Sequence, residues 1–257
     1  PIFLDGITGS GKTEVYFKLI KFFLLKKKQV LVLIPEIALS KQWITRFYDA
    51  FKFYPYVWNS KVSHSKKKKI WQGLIEGEIN VVVGARSAIF LPFSNLGVTI
   101  IDEENDISYK QEESPVYNAR DMAVVKSKIN TSHIILVSAT PSLETFYNSK
   151  NKKYNYFKLT DRFGEAKNPK VHFIDMKLDK RSFISKQTLS ILKEKLNKGK
   201  QVLILINRRG YAPITICTNC GFKEMCKKCD INLVYHKKNN KLICHHCGFS
   251  RYPKNIC

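Results

Sequence analysis

The chain has 257 residues, 44% of them hydrophobic, which is enough apolar material for one large core or a domain and a half. Its formal charge of +23 points to a polyanionic partner, most simply nucleic acid. The excess is lysine (36 Lys against 8 Arg), with runs at Lys26–Lys28 and Lys66–Lys69, so any single run reads equally as a solvated face or as a phosphate track. Apolar runs are short and broken by lysine, no signal peptide or membrane span is visible, and no membrane partner is expected. The seven cysteines crowd into the end of the chain in metal-type spacing, not as a disulfide framework, and a cytoplasmic protein is expected. Starting on Pro1 and ending on Cys257, half of a cysteine pair, the chain reads as the middle piece of something longer.

Pro1–Leu4 is a short apolar strand, and it leads into Gly6-Ile-Thr-Gly-Ser-Gly-Lys-Thr13, a complete G-x-x-x-x-G-K-[ST] phosphate-binding pattern. A nucleoside triphosphate presents clustered anionic oxygens, and a glycine-rich turn lets several backbone N–H groups point at them. The nucleotide-binding set is therefore Gly6, Thr8, Gly9, Ser10, Gly11, Lys12 and Thr13. Lys12 can reach the β/γ-phosphates and the Thr13 hydroxyl can sit on Mg²⁺. The helix predicted over 12–25 adds its N-terminal dipole to the anion site.

Gln29–Pro35 and Ile79–Val83 are nearly continuous apolar runs, the pattern of strands buried on both faces of a parallel sheet. Between them the sequence predicts a helix over 36–53, a weak strand over 57–63 and an amphipathic helix over 66–76. Val98-Thr-Ile-Ile-Asp-Glu-Glu104 is an apolar strand ending in carboxylates, at the edge where open α/β sheets place ligands. Asp102 would hold the Mg²⁺ shell, and Glu103 would orient and deprotonate the attacking water. The polar stretch 108–121 carries Tyr109 and Tyr117 among Lys110 and Arg120. It reads either as a surface that stacks bases and meets phosphates or as a loop packing its own tyrosines. A helix over 119–128 and a strand over 133–138 follow, the strand ending in Ser138-Ala-Thr-Pro141, whose hydroxyls suit a hydrogen-bond relay. Strand–helix alternation gives an α/β P-loop domain to about residue 160. After a polar link, a second α/β unit is expected from Val171–Asp175, a helix near 186–197 and a strand at Gln201–Ile206, followed by Asn207-Arg-Arg-Gly210.

Cys217/Cys220, Cys226/Cys229 and Cys244/Cys247 are three C-x₂-C knuckles, with Cys257 alone after them. Two such pairs close a tetrahedral Zn²⁺ site. The inner four, Cys226, Cys229, Cys244 and Cys247, form the expected complete site, and Cys217, Cys220 and Cys257 would hold another with its last ligand missing. His245 and His246 are possible substitute ligands.

In order, Gly6–Thr13, Ile34–Leu39, Gly84–Phe90, Asp102–Asn105, Ser138–Pro141, Asn207–Gly210 and the cysteine pairs resemble the primosomal protein N′ (PriA) family, the bacterial replication-restart helicases of superfamily 2. The resemblance covers essentially the whole chain. It implies an α/β fold: a RecA-like P-loop helicase lobe (1–163), a linker with the start of a second RecA-like lobe (164–212), and a Cys-rich zinc-binding segment (213–257). It also implies an ATP-dependent 3′→5′ DNA helicase acting at stalled forks, with ATP, Mg²⁺ and Zn²⁺ as cofactors (two zinc sites in the family, one complete here). The implied partners are single-stranded and forked DNA, primosome proteins and the single-stranded-DNA-binding protein. The 109–120 stretch is similar to the family's aromatic-rich loop, which makes Asn105, Tyr109, Lys110, Arg120, Ser138 and Thr140 the expected coupling and DNA-contacting set.

Two departures matter. The family's acidic motif usually ends in His where this chain has Asn105, which can hydrogen-bond but carries no proton. The family's arginine finger and N-terminal DNA-binding region have no counterpart in these residues, so weak hydrolysis is expected of the chain alone. The rival expectation is a non-enzymatic remnant whose zinc segment and basic surface hold DNA or a primosome protein.

Overall fold

The apolar runs that read as doubly buried strands lie side by side in one parallel sheet. The computed structural model describes residues 1–35, 41–164, 169–174, 184–205, 214–217 and 219–253. The chain folds as two units, Pro1–Pro169 and Lys170–Cys257.

In the first unit the order is β1 (Ile2–Gly6), α1 (Lys12–Leu25), β2 (Gln29–Leu33), α2 (Lys41–Phe51), β3 (Tyr56–Trp58), α3 (His64–Ile75), β4 (Val81–Gly84) and β5 (Leu96–Asp102). It continues with a two-residue hairpin pair, β6 (Lys110–Gln111) and β7 (Tyr117–Asn118), then α4 (Ala119–Ile129), β8 (His133–Ser138), α5 (Leu143–Lys150) and β9 (Asn155–Leu159). The seven-stranded sheet has the order β3-β4-β2-β5-β8-β1-β9, with every neighbouring pair parallel. Parallel neighbours cannot be joined by tight turns, so helices cross over both faces.

Side-chain alternation along β2 makes those two faces explicit. Val30 and Val32 point into a core with Tyr16, Phe17, Ile20 and Phe23 of α1 and Trp43 and Phe47 of α2. Leu31 and Leu33 point the other way, into a core with Ile70 and Leu74 of α3 and Ala119 and Ala123 of α4. Central strands β2 and β4 are buried at every position, which is why they carry no polar alternation. The topology puts the ends of β5, β8 and β1 next to one another, with Asp102 paired to Val137 and Asp5 to Ser138. Three of the sequence motifs therefore meet on one edge of the sheet.

Several boundaries differ from expectation. Of the helix predicted over 36–53, Lys41–Phe51 is helical and residues 52–53 are not; residues 36–40, which hold most of the Ile34–Leu39 motif, lie outside the described residues. The strand predicted over 57–63 is only Tyr56–Trp58, and α3 begins at His64, two residues before its predicted start. Strand β9 falls in what reads as a polar link. It is a sheet edge with its first four residues exposed, so its own sequence shows no burial pattern and its pairing with β1 alone makes it a strand.

In the second unit, α6 (Lys186–Asn197) is present with Ser185 as its N-cap, the side-chain oxygen accepting from the Thr188 amide. The expected strands at 171–175 and 201–206 are not formed in their described residues, 171–174 and 201–205. Phe173 is 97% exposed and Leu203 95%. Strand structure needs a neighbour to complete its hydrogen bonds, and none of the described strands runs beside these stretches. Asn207–Gly210 lies outside the described residues. The cysteine segment forms a three-stranded antiparallel sheet of β10 (Val234–His236), β11 (Lys241–Ile243) and β12 (Ser250–Arg251) around a core of Cys226, Leu233, Leu242 and Cys244. A Glu224–Arg251 ion pair ties its last strand to the segment just before Cys226.

Candidate nucleotide site and metal centre

The turn from β1 to α1 is built as an anion cradle. Gly11, the residue that caps α1, has φ 83°, and Gly9 has φ 82°, both in the left-handed region that other residues rarely adopt. A Cβ on Gly6 would stand 2.6 Å from Ser10 Oγ and 2.9 Å from Lys12 Cγ, so the loop can fold this tightly only over glycine. The loop is pinned by the Ser10 amide donating to the Ile7 carbonyl (3.0 Å) and by the Phe163 amide donating to the Gly9 carbonyl (2.8 Å). Among the described residues the amides of Gly11, Lys12 and Thr13 make no hydrogen bond, and the buried Ser10 Oγ has no partner. Orphaned donors at a helix N-terminus, a left-handed glycine turn and a lone buried hydroxyl fit a bound phosphate chain. Thr8 is exposed at the crest. The Lys12 ammonium crosses the mouth of the loop and donates to the Gly6 carbonyl at 2.7 Å.

Two strands away, β5 delivers its carboxylates to the same edge. Asp102 Oδ1 accepts from the Glu103 amide (3.1 Å), and Oδ2 accepts from the Tyr16 hydroxyl (2.9 Å). Burial pushes the Asp102 carboxyl up, while Tyr16, the Glu103 amide and the charge of Lys12 pull it back. Glu103 sits at φ 47°, a left-handed conformation unusual for a residue with a Cβ, which throws its side chain out of the strand direction. Its carboxyl is raised by burial first and by Asp102 second, and is again opposed by Lys12. A carboxyl raised by burial and by a neighbouring carboxylate suits a general base beside a metal ligand. Lys12, Asp102 and Glu103 thus lie within one electrostatic neighbourhood, as the motif spacing predicts.

Beyond them the acidic motif is tied to the neighbouring strand end. Asn105 Oδ1 accepts from Ser138 Oγ (2.7 Å), its Nδ2 donates to Thr140 Oγ1 (3.3 Å), and Ser138 Oγ accepts from the Thr140 amide (3.0 Å). Both polar atoms of Asn105 are used. Glu104, which sequence reading passed over, is 1% exposed and accepts from the Ser142 amide, Ser142 Oγ and Thr145 Oγ1 at 2.8, 3.0 and 2.9 Å. Its fourth partner is Arg120, at 3.3 Å.

That contact corrects the reading of Arg120 and Tyr109 as groups free to meet DNA. Arg120 is 7% exposed and engaged by Glu104, Asp121 and Ser142. Tyr109 is 1% exposed, with its hydroxyl 2.7 Å from the Asp102 carbonyl oxygen and 3.0 Å from that of Leu33. A phenol so placed has no face to offer a base. Of the expected set, Lys110 is exposed; Tyr117, from the same stretch, packs edge-on against Phe90 at 5.0 Å. Arg86 holds this loop down by donating to the Lys110 carbonyl at 2.8 Å. Lys126, from α4, donates to the carbonyls of Ile89 and Leu91, both at 2.7 Å, and burial holds its amine down to about 8.

In the second unit, Cys226, Cys229, Cys244 and Cys247 bring four sulfurs within 4.8 Å of one another, with Cys226 and Cys247 3.6 Å apart. A tetrahedral ion with metal–sulfur bonds of about 2.3 Å requires sulfur pairs about 3.8 Å apart, so the four thiols fit a zinc-type ion. Each knuckle has the same backbone frame. The first cysteine's amide bonds five residues on (Cys226 to Ile231, Cys244 to Phe249), and its carbonyl accepts from the fourth (Asp230, Gly248). The Cys244 thiol is held down to about 6, first by the Cys247 amide. Cys217 and Cys220 form a third knuckle with the same frame, Cys217 to Phe222 at 2.8 Å and Gly221 to Cys217 at 2.9 Å. Cys257 lies outside the described residues. His246 Nδ1 is 3.4 Å from Cys229 Sγ, and His245 pairs with His236 at 2.9 Å between their Nε2 atoms, so neither histidine is needed to complete the four.

Comparison with known proteins agrees with both halves. Residues 1–148 match the DEAD/DEAH box helicase family, and residues 226–251 match the PriA DNA helicase Cys-rich region domain. The replication restart protein PriA of Rickettsia prowazekii is 49% identical over 100% of this chain and 40% of its own length. That of Bacillus subtilis is 39% identical over 99% of this chain and 32% of its own. The chain therefore spans about 40% or less of these relatives. The solved structure of the DUF1998 helicase MrfA shares the fold at a TM-score of 0.53 and 17% identity, over 81% of this chain and 34% of that one. The chain, with a complete phosphate loop facing an Asp-Glu pair across one strand end, belongs to the DEAD/DEAH box helicase family and resembles the central part of the replication restart protein PriA.

Proposed function

We propose that this chain is the nucleotide-binding part of an ATP-dependent 3′→5′ DNA helicase of replication restart, which binds ATP with Mg²⁺ and holds Zn²⁺ in its cysteine segment. The observation that carries the reading is the convergence of Lys12, Thr13, Asp102 and Glu103 on one edge of the sheet, with the end of β8 between those of β1 and β5. A bound Mg²⁺, held by the Thr13 hydroxyl and Asp102, would offset the charge of the terminal phosphates. The orphaned amides of Gly11 to Thr13 bind phosphate oxygens, and Lys12 swings from the Gly6 carbonyl to the terminal phosphates. Glu103, raised by burial, orients the attacking water and accepts its proton. Asn105 then links this site to Ser138 and Thr140, so a change at the acidic motif shifts the next strand end. Single-stranded or forked DNA is the proposed substrate. Likeness to the replication restart proteins and the chain's +23 charge support it. Primosome proteins and the single-stranded-DNA-binding protein are proposed partners by likeness to PriA.

The test is nucleotide affinity and steady-state hydrolysis by the chain, with and without forked DNA, beside Lys12→Ala. Nucleotide binding lost in Lys12→Ala, with weak hydrolysis by the chain alone, is the expected result; equal binding by both proteins refutes the site. The second reading, a binding module without turnover, is favoured by Asn105 where the family places His. DNA-stimulated hydrolysis by a chain extended to the length of the relatives would eliminate it.

A further inference from the structure

Tyr16 belongs to neither the phosphate loop nor the acidic motif, yet its hydroxyl lies between them. It is fully buried, on the face of α1 that packs against β2 and β5. A phenol oxygen donates one hydrogen bond and accepts two. Here Trp43 Nε1 donates to it at 2.8 Å. Its single proton goes to Asp102 Oδ2, 2.9 Å away. Trp43 is itself held by edge contact with Phe17 at 5.7 Å and by stacking on Phe47 at 5.4 Å, so the indole N–H is aimed by α2.

We infer that Tyr16 is a positioning residue that presets the Asp102 carboxylate as a cation ligand, with Trp43 fixing its orientation. The inference rests on the reading of Asp102 as a residue that holds Mg²⁺. By donating to Oδ2, the phenol fixes the carboxylate rotation already set on the other oxygen by the Glu103 amide. Outer-shell partners of this kind orient ligands and change metal affinity by 10–100-fold. The path also runs from α2 through α1 to β5, so a tilt of α2 reaches Asp102 through two hydrogen bonds.

The experiment is calorimetric affinity for ADP, once with excess Mg²⁺ and once in EDTA, for the chain and for Tyr16→Phe, Trp43→Phe and Asp102→Asn. Tyr16→Phe keeps the packed ring and deletes the relay. Expected is about a tenfold fall in the Mg²⁺-dependent gain, with the EDTA affinity unchanged. The same change in the Asp102→Asn background should have no further effect, and Trp43→Phe should act in the same direction more weakly. If Tyr16→Phe keeps the parental gain, or weakens binding equally with and without Mg²⁺, the relay is refuted and Tyr16 is packing only. If Asp102→Asn also keeps the gain, the underlying assignment of the Mg²⁺ ligands has failed instead. Should Tyr16→Phe not fold, Trp43→Phe decides by the same two criteria. A further readout is Trp43 emission in a Trp58→Phe/Trp71→Phe background: Mg²⁺ added to the ADP complex should shift it, and an unmoved spectrum counts against the relay.

Discussion

Replacing Arg120 with methionine tests whether this arginine is a structural partner of the acidic motif or a group held ready for DNA. Glu104 has no exposed side-chain surface and Arg120 has 8%. Removing one member of a buried ion pair costs about 3–5 kcal/mol, because the other charge is left behind. Glu104 would still accept from the Ser142 amide, Ser142 Oγ and Thr145 Oγ1 at 2.8–3.0 Å, and the bond it loses is the longest of its four, 3.3 Å. The cost should therefore fall at the low end, about 3 kcal/mol. Glu104→Gln should cost less, about 1–2 kcal/mol, since Arg120 keeps Asp121 at 2.9 Å and Glu144 at 3.6 Å, both largely exposed. In the double variant no buried charge is stranded, so it should be about 1 kcal/mol more stable than Arg120→Met alone. Urea unfolding followed by tryptophan emission measures this in the first unit, since Trp43, Trp58 and Trp71 all lie there. A double variant less stable than Arg120→Met, or a cost near zero for Arg120→Met, would refute the buried-pair argument.

Two further outcomes are expected. Stripping the metal from the cysteine segment should unfold its hairpin, because a core of Cys226, Leu233, Leu242 and Cys244 is too small to stand alone, whereas structural zinc contributes about 10–16 kcal/mol; amide NMR dispersion for residues 226–251 that survives chelation would contradict this. Lys126 is held down to about 8 in the folded chain, below its ordinary 10.5 in the unfolded one, so the unfolded state binds more protons between those values and stability rises with pH there. Relative to Lys126→Met, which cannot titrate, the parent chain should gain stability from pH 8 to pH 10.5, and a constant difference in melting temperature would count against the shift.

The motifs were legible in sequence because each is a contiguous stretch whose chemistry is local. Gly6–Thr13 carries its own turn geometry in Gly9 and Gly11, and its own anion site in the helix start that follows. Asp102 and Glu103 announce themselves as carboxylates that end an apolar run, and each C-x₂-C knuckle closes over six residues of backbone. The doubly buried β2 is visible because Val30–Leu33, packed on both faces, are all apolar, with its one polar residue, Gln29, at the start of the strand. Strand β9 was not legible, since an edge strand takes its structure from the neighbour it pairs with.

The surroundings of the site were decided by tertiary structure alone. Tyr16 and Trp43 read as ordinary members of apolar helix faces, and nothing near them in the chain reveals that a hydroxyl meets a carboxylate 86 residues away. Tyr109 and Arg120 lie in a polar, aromatic stretch that composition reads as a surface; the fold turns both inward, one against the Asp102 carbonyl and the other onto Glu104. Local patterns encode backbone geometry and the chemical type of a group. Which buried polar group satisfies which other depends on the crossover order of the strands, β5-β8-β1, and that order exists only once the sheet is assembled.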